Sequence, residues 1–229
     1  MHYTADIQPV IPFKLNDDIN LITRTIVPII HAESPVPGGS SISGIGDIVQ
    51  SFFLSPAKPT ASGIIWGAGP VFLYPSATDD QLGMEKFGLG PTAVLLRQQG
   101  TWTYGGGLVN HIWSVTGNKQ RPDVSATFLN PFLSYTTSKQ TNYSLSAEST
   151  HDWERNQWLV PVQAGVSQLV MFGTQPVQFS GSARYYAEAP KGGPDWGLRF
   201  SITFLFPKQL WISFDAILET NSQTRSTCQ

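Results

Sequence analysis

A single cysteine, Cys228, stands in 229 residues, so the chain can form neither an internal disulfide nor a cysteine-based zinc site. Charge is also scarce: Asp, Glu, Lys and Arg make up 13% of the residues, about half of the roughly 25% usual in soluble domains. Fourteen Lys+Arg against sixteen Asp+Glu leave a formal charge of −2. With no cationic excess to neutralise phosphates, nucleic acid is not an expected partner. No stretch approaches the ~18 consecutive apolar residues of a membrane-spanning helix. Residues 1–4 carry no basic or apolar leader region, so no secretory signal is read there. The four histidines (His2, His31, His111, His151) lack metal-ligand spacing, and Asp79-Asp80 reads as a solvated loop pair. No phosphate-binding loop, dinucleotide fingerprint or nucleophile elbow appears in a proper strand-to-helix context. His111 and Ser114 are three apart on a strand and face opposite ways, so they cannot form a nucleophile–base pair. The expectation is a protein that is not an enzyme and holds no cofactor or metal.

What is present is aromatic and turn-rich: 12% aromatics, 21 Gly, 17 Pro and a mean hydropathy of −0.09. Few charges, many aromatics and no apolar run fit a transmembrane β-barrel, where lipid-facing and lumen-facing residues alternate and cancel in any window average. The alternation is plain near the C-terminus. Val177, Phe179, Gly181, Ala183, Tyr185 and Ala187 interleave with a mostly polar set containing Gln178, Ser180, Ser182, Arg184 and Glu188. Trp196, Leu198, Phe200, Ile202, Phe204 and Phe206 interleave with Gly197, Arg199, Ser201 and Thr203. That is period two, the strand signature.

The same reading predicts eleven strands, near 4–14, 18–30, 46–56, 63–75, 86–98, 101–114, 123–137, 141–152, 158–170, 175–188 and 195–206. Most are longer than the usual strand of about 5–6 residues and match the ~9–11 needed to cross a bilayer at a tilt. Connections alternate between tight turns (Leu15 to Asp17, Ala57 to Ser62, Gln99-Gly100, Ser138 to Gln140, Met171 to Thr174) and mostly larger loops (His31 to Ile45, Ser76 to Glu85, Thr116 to Pro122, Trp153 to Gln157, Ala189 to Pro194). Sorting of loops by parity is a barrel trait that a sandwich has no reason to share. Pro9, Pro12, Pro28, Pro70, Pro91, Pro131 and Pro161 fall inside these strands and predict bulges or interrupted ladders.

Several segments carry a family resemblance: Ile7-Gln8-Pro9-Val10-Ile11-Pro12-Phe13, Asn20 to Ile29, Gly46-Asp47, Phe52-Phe53-Leu54-Ser55-Pro56, Gly69-Pro70, Ala77-Thr78-Asp79, Gly90-Pro91, Pro194-Asp195-Trp196 and Phe204-Leu205-Phe206-Pro207-Lys208. In this order, over about residues 5–208, the sequence resembles the proteobacterial outer-membrane barrels often mislabelled "neuromedin U", related to transporters of the MetA-pathway phenol-degradation type. The resemblance implies a barrel in the bacterial outer membrane, more strongly than it implies a solute. It also implies an N-terminal segment ahead of Ile7.

Bacterial single-chain barrels have even strand numbers, so eleven strands predict a twelfth, missing at the N-terminus. The alternative places it at Leu210 to Leu218, which fits a short amphipathic helix equally well. The expected organisation is one antiparallel up-and-down barrel over 1–208 and a tail over 209–229 that is an extra strand, a short helix or disordered.

By alternation, Arg24, Glu148, Arg184, Glu188 and Arg199 face the lumen, since Arg at the lipid midplane would cost about 2–4 kcal/mol. They form either a solute-selecting constriction or salt bridges that fill a closed lumen. Trp66, Tyr74, Trp102, Trp113, Trp153, Trp158, Trp196 and Phe206, with Tyr104, lie near strand ends, as interfacial aromatic girdles do. The expected function is passive passage of a small solute, hydrophobic or aromatic by the family's association, with the lipid bilayer as partner and self-association open. A non-conducting structural barrel and a soluble barrel with an apolar ligand are the alternatives.

Overall fold

The computed structural model describes residues 2–32 and 41–206. The expected tail 209–229, its twelfth-strand alternative and most of the His31 to Ile45 loop lie outside the described residues. Every regular element within them is a β-strand: β1 (His2–Ile7), β2 (Val10–Lys14), β3 (Ile19–Ala32), β4 (Ile42–Ile45), β5 (Ile48–Pro56), β6 (Ile64–Tyr74), β7 (Lys86–Gln99), β8 (Trp102–Gly117), β9 (Ser125–Thr136), β10 (Thr141–Ala147), β11 (Ser149–Asp152), β12 (Gln157–Phe172), β13 (Gln175–Glu188) and β14 (Trp196–Phe204). They form one antiparallel fourteen-stranded sheet in which chain neighbours are sheet neighbours, except that β1 and β2, β4 and β5, and β10 and β11 lie end to end on shared partners.

Fourteen strands and eleven expected ones describe the same chain path. Two of the expected runs are broken in place, β1 from β2 at Gln8-Pro9 and β10 from β11 at Glu148, while β4 is a correction: Ile42–Ile45, expected within the His31 to Ile45 loop, forms a strand that a break at Gly46-Asp47 separates from β5. Both halves of each broken run pair with β3 or with β9 and β12. The expected alternation of tight turns and larger loops is present in part: 57–63, expected tight, is as long as 118–124 and 189–195, and 153–156, expected larger, is as short as 15–18 and 137–140. The turns at 100–101 and 173–174 are the tightest, and the connection at 75–85 is the longest among the described residues. Gly100 sits in the first of these turns at φ +60° with open space around it. Gly100→Ala should therefore cost about 1 kcal/mol through backbone strain alone, read as a lower urea midpoint, whereas a replacement by Asn should recover part of the loss.

Pro70, Pro91, Pro131 and Pro161 fall where ladders are interrupted, whereas Pro12 and Pro28, also expected to interrupt them, sit in unbroken ladders opposite Ile22 and Asp6. Pro70 stands opposite Pro91. The β5–β6 register passes from Ser51↔Val71 to Leu54↔Ala68, and the β7–β8 register from Leu89↔Trp113 to Thr92↔Asn110. A third gap, between Gly105↔Phe132 and Leu108↔Asn130, holds Pro131, and a register shift occurs at Val160/Pro161. Proline has no N–H to give the facing carbonyl, and a glycine beside it lets that carbonyl settle close. A Cβ on Gly69 would strike the Phe52 carbonyl, and one on Gly90 the His111 carbonyl. The Gly-Pro pairs are thus paired devices for skipping a rung.

The side chains are distributed the opposite way from a globular core. Among the described residues only Phe53, Ala57, Val71, Leu73 and Val177 are buried apolar residues, while β14 turns a full row outward, with Phe200 79% and Ile202 60% exposed. The other face carries Arg24, Ser51, Thr92, Gln163, Ser167, Arg184 and Arg199, none of them among the well-exposed residues. The sheet curls until β1 and β14 border one cavity, which Asp6 and Gln8 line from one side and Gly197 and Arg199 from the other. Among the described residues no ladder joins β1 to β14. Ten antiparallel steps separate these two runs, so they point the same way.

Candidate functional site

The interior is built from the polar parity of each strand. Arg24 on β3 pairs with Ser51 on β5, Arg184 on β13 with Gln163 on β12, and Ser182 on β13 with Arg199 on β14. Glu148, at the break between β10 and β11, reaches the same region. It accepts from Arg184 Nη2 at 2.6 Å and from Arg199 Nη1 at 2.8 Å. Gln163 ties the group together: its amide oxygen accepts from Arg184 at 3.0 Å, and its Nε2 donates to Ser146 Oγ at 2.8 Å. Arg24 donates to Gln8 Oε1 at 3.4 Å and lies within electrostatic reach of Glu148, Asp6 and Arg199.

Four of the five residues that sequence parity assigns to the lumen therefore converge on one cavity of about 300 Å³, where three guanidinium groups meet the carboxylates of Asp6 and Glu148. Glu188 does not join them. It is exposed at the end of β13, beside the 189–195 connection, because the strand carries it beyond the cavity. Asp6, Gln8 and Gln163 are members that charge-based selection passed over. Gln163 could have been found by its position opposite Arg184, but Asp6 depends on the curl that brings β1 to β14.

A second cluster lies at the end with the larger loops. The 75–85 connection turns inward, against the face of β4 that shares the parity of Arg24. Gly44 pairs with Ile30, and a Cβ there would meet Thr78 and Leu82. Asp47 holds the loop by accepting the backbone N–H of Ala77 at 3.2 Å and of Met84 at 2.6 Å. Arg121, from the 118–124 connection, pairs with Glu85 at 2.9 Å and donates to the carbonyls of Asp80 and Gly83. Buried Lys86 bonds Asp123 at 2.7 Å, and Ser114 Oγ donates to the same carboxylate.

The hydrogen bond and charge of Lys86 hold the Asp123 carboxyl below its ordinary value. A carboxyl depressed in the folded state stabilises the clasp above the unfolded value of about 3.9 and loses that contribution as pH falls through the folded value. Proteolytic accessibility of the 118–124 loop should therefore be flat from pH 8 to about 5 and should rise below about pH 4. Asp123→Asn should show high accessibility at every pH in that range.

The aromatic candidates sit on the outer parity, sorted by end. Tyr74, Trp113, Trp153, Trp158 and Trp196 belong to the larger-loop end, and Trp66, Trp102 and Phe206 to the tight-turn end. Trp102 packs on Tyr135 with ring centroids 4.9 Å apart. At the first end, Thr127 Oγ1 accepts from Trp153 Nε1 at 2.8 Å and bonds His111 Nδ1 at 2.7 Å. His151 is enclosed by Trp153 and Trp158, with centroids 4.5 and 4.6 Å away. His111 and Ser114 face opposite sides, His111 toward Thr127 and Ser114 toward Asp123. Among the described residues no three His, Cys, Asp or Glu side chains are grouped to hold a metal.

No protein-family model and no curated protein matches the sequence. Among solved structures, the chain is similar to the crystal structure of the COG4313 outer membrane channel from Pseudomonas putida F1. The TM-score is 0.67 at 12% identity, covering 88% of this chain and 82% of that one. At that identity the likeness is one of fold: this all-β antiparallel sheet is similar in architecture to that protein.

Proposed function

We propose that the protein is a passive channel of the bacterial outer membrane, passing a small solute through the interior of the barrel. One observation carries this reading: apolar and aromatic side chains cover the outside while arginine, glutamate, serine and glutamine line the inside. In water the outer row of β14 alone would be a large exposed apolar patch, an aggregation hazard. Against hydrocarbon it stabilises, by about 1.5–3 kcal/mol for each large side chain taken from water. Tryptophans at both ends are then interfacial anchors, the tight turns face the periplasm and the larger loops the exterior. The family resemblance of the sequence and the likeness of fold support the same reading. The MetA-type association suggests an aromatic or hydrophobic solute.

The ionic cluster and the inward 75–85 loop favour one competing reading, a barrel whose lumen is filled. Purified protein reconstituted in planar bilayers in KCl separates the two: uniform conductance steps are expected, and silence at concentrations that insert other barrels would establish the closed barrel instead. Protein that stays monodisperse without detergent would overturn the membrane reading altogether.

A further inference from the structure

The interior wall formed by β10, β12, β13 and β14 differs from the rest of the lumen. A cavity of about 290 Å³ there is lined by the hydroxyls of Ser144, Ser167, Ser180 and Ser201 and the amides of Gln163 and Gln178, with no aromatic side chain on it. That volume is at the small end of ligand sites, which run about 300–1,000 Å³. Gln163 is committed to Arg184 and Ser146, but the other polar groups make few bonds beyond one another. Gln178 Nε2 donates to Ser167 Oγ at 2.7 Å, and the Ser180 and Ser201 hydroxyls share a bond. Each serine has one donor and two acceptor positions, so such a chain keeps capacity for a solute carrying its own hydroxyls. A ring or alkyl group would displace water from these groups and return no hydrogen bond.

Arg199 borders this cavity and also the ionic one, so the two are stacked chambers sharing a guanidinium. The ionic chamber holds Arg24, Arg184 and Arg199 against Asp6 and Glu148, which leaves one cation in excess. The Nη2 of Arg184 serves both Glu148 and Gln163. Surplus positive charge on one side, and hydroxyls and amides on the other, are complementary to an anionic head joined to a hydroxylated body.

On the reading of the protein as a channel, we propose that this wall is a binding track for small hydroxylated carboxylates of the sugar-acid type, with the carboxylate at Arg184 and Arg199 and the hydroxyls on the serine–glutamine chain. The preference is for hydrogen-bonding solutes over aromatic acids of the same charge, so the lining of this wall favours a different solute from the aromatic one that the family association alone suggests.

Reversal potentials across bilayers containing the full chain test it, with gluconate, benzoate and chloride as the anions, and liposome swelling adds uncharged glucose. Gluconate should permeate about threefold or more better than benzoate, the worth of one retained hydrogen bond, and should outpace glucose in swelling. Ser180→Ala with Ser201→Ala should pull the gluconate-to-benzoate ratio toward one. Arg199→Gln should lower both anions relative to K⁺, with Arg199→Lys restoring most of the loss. Benzoate passing as well as gluconate in the unmodified protein overturns the proposal while leaving a conducting channel in place, and so does a ratio unmoved by the serine changes in protein that keeps its heat-modifiable folded band. A bilayer silent even in KCl removes the channel reading itself, and the track with it.

Discussion

Val166→Arg is expected to destabilise the protein by about 2–4 kcal/mol in a bilayer, the cost of a cation on the lipid face near mid-depth. Val166 lies near the middle of β12, opposite Tyr143 on β10 and Gly181 on β13, and is 47% exposed. On the surface of a water-soluble protein the same substitution would fall within about 0.5 kcal/mol. The experiment therefore reports what the outer face touches. Folding in lipid vesicles, followed by the heat-modifiable band across a urea series, should show a lower midpoint for Val166→Arg and an unchanged one for Val166→Leu. Equal midpoints for all three proteins would mean that water covers this face.

Glu148→Ala is the second large effect, because two arginines share that carboxylate. Breaking a fully buried ion pair costs about 3–5 kcal/mol. Here the side chains of Arg184, Arg199 and Glu148 are 21%, 38% and 23% exposed, so water screens part of the loss and about 2 kcal/mol is expected. The change in charge is of equal interest. Three guanidiniums would then face Asp6 alone, and the chloride-to-potassium permeability ratio should rise several-fold in salt-gradient bilayers. Glu148→Gln keeps the volume and should give the same shift in selectivity with a smaller loss of stability. An unaltered reversal potential in both variants would remove the cluster from the conducting path.

Much of this was legible in the sequence because a strand of period two needs no partner to reveal its faces. Val177 to Glu188 and Trp196 to Phe206 gave their inner and outer sets directly, and Arg184 and Arg199 followed as interior residues from the cost of the other choice. Pro70, Pro91, Pro131 and Pro161 were legible as interruptions, although which rung each would skip depended on register, as in the facing of Pro70 by Pro91. What the sequence withheld was whatever depends on closure or on loops. Asp6 enters the ionic chamber only because the two edges curl toward one cavity. The inward 75–85 segment has no periodicity, and its hold depends on Asp47 and Arg121, some forty positions away. Asp47 was visible only as part of a shared Gly-Asp motif, with nothing local to show that it caps a distant loop.

The skipped rungs at Pro70, Pro91 and Pro131 all fall between β5 and β9, whereas the ladder from β13 to β14 runs without a break. The unbroken β13–β14 ladder holds Arg184 and Arg199 at a fixed spacing. The hoops are open elsewhere: at the proline rungs, and between β1 and β14, where among the described residues no ladder runs. Slack in this sheet is thus confined to places that leave the charged contacts in step with one another.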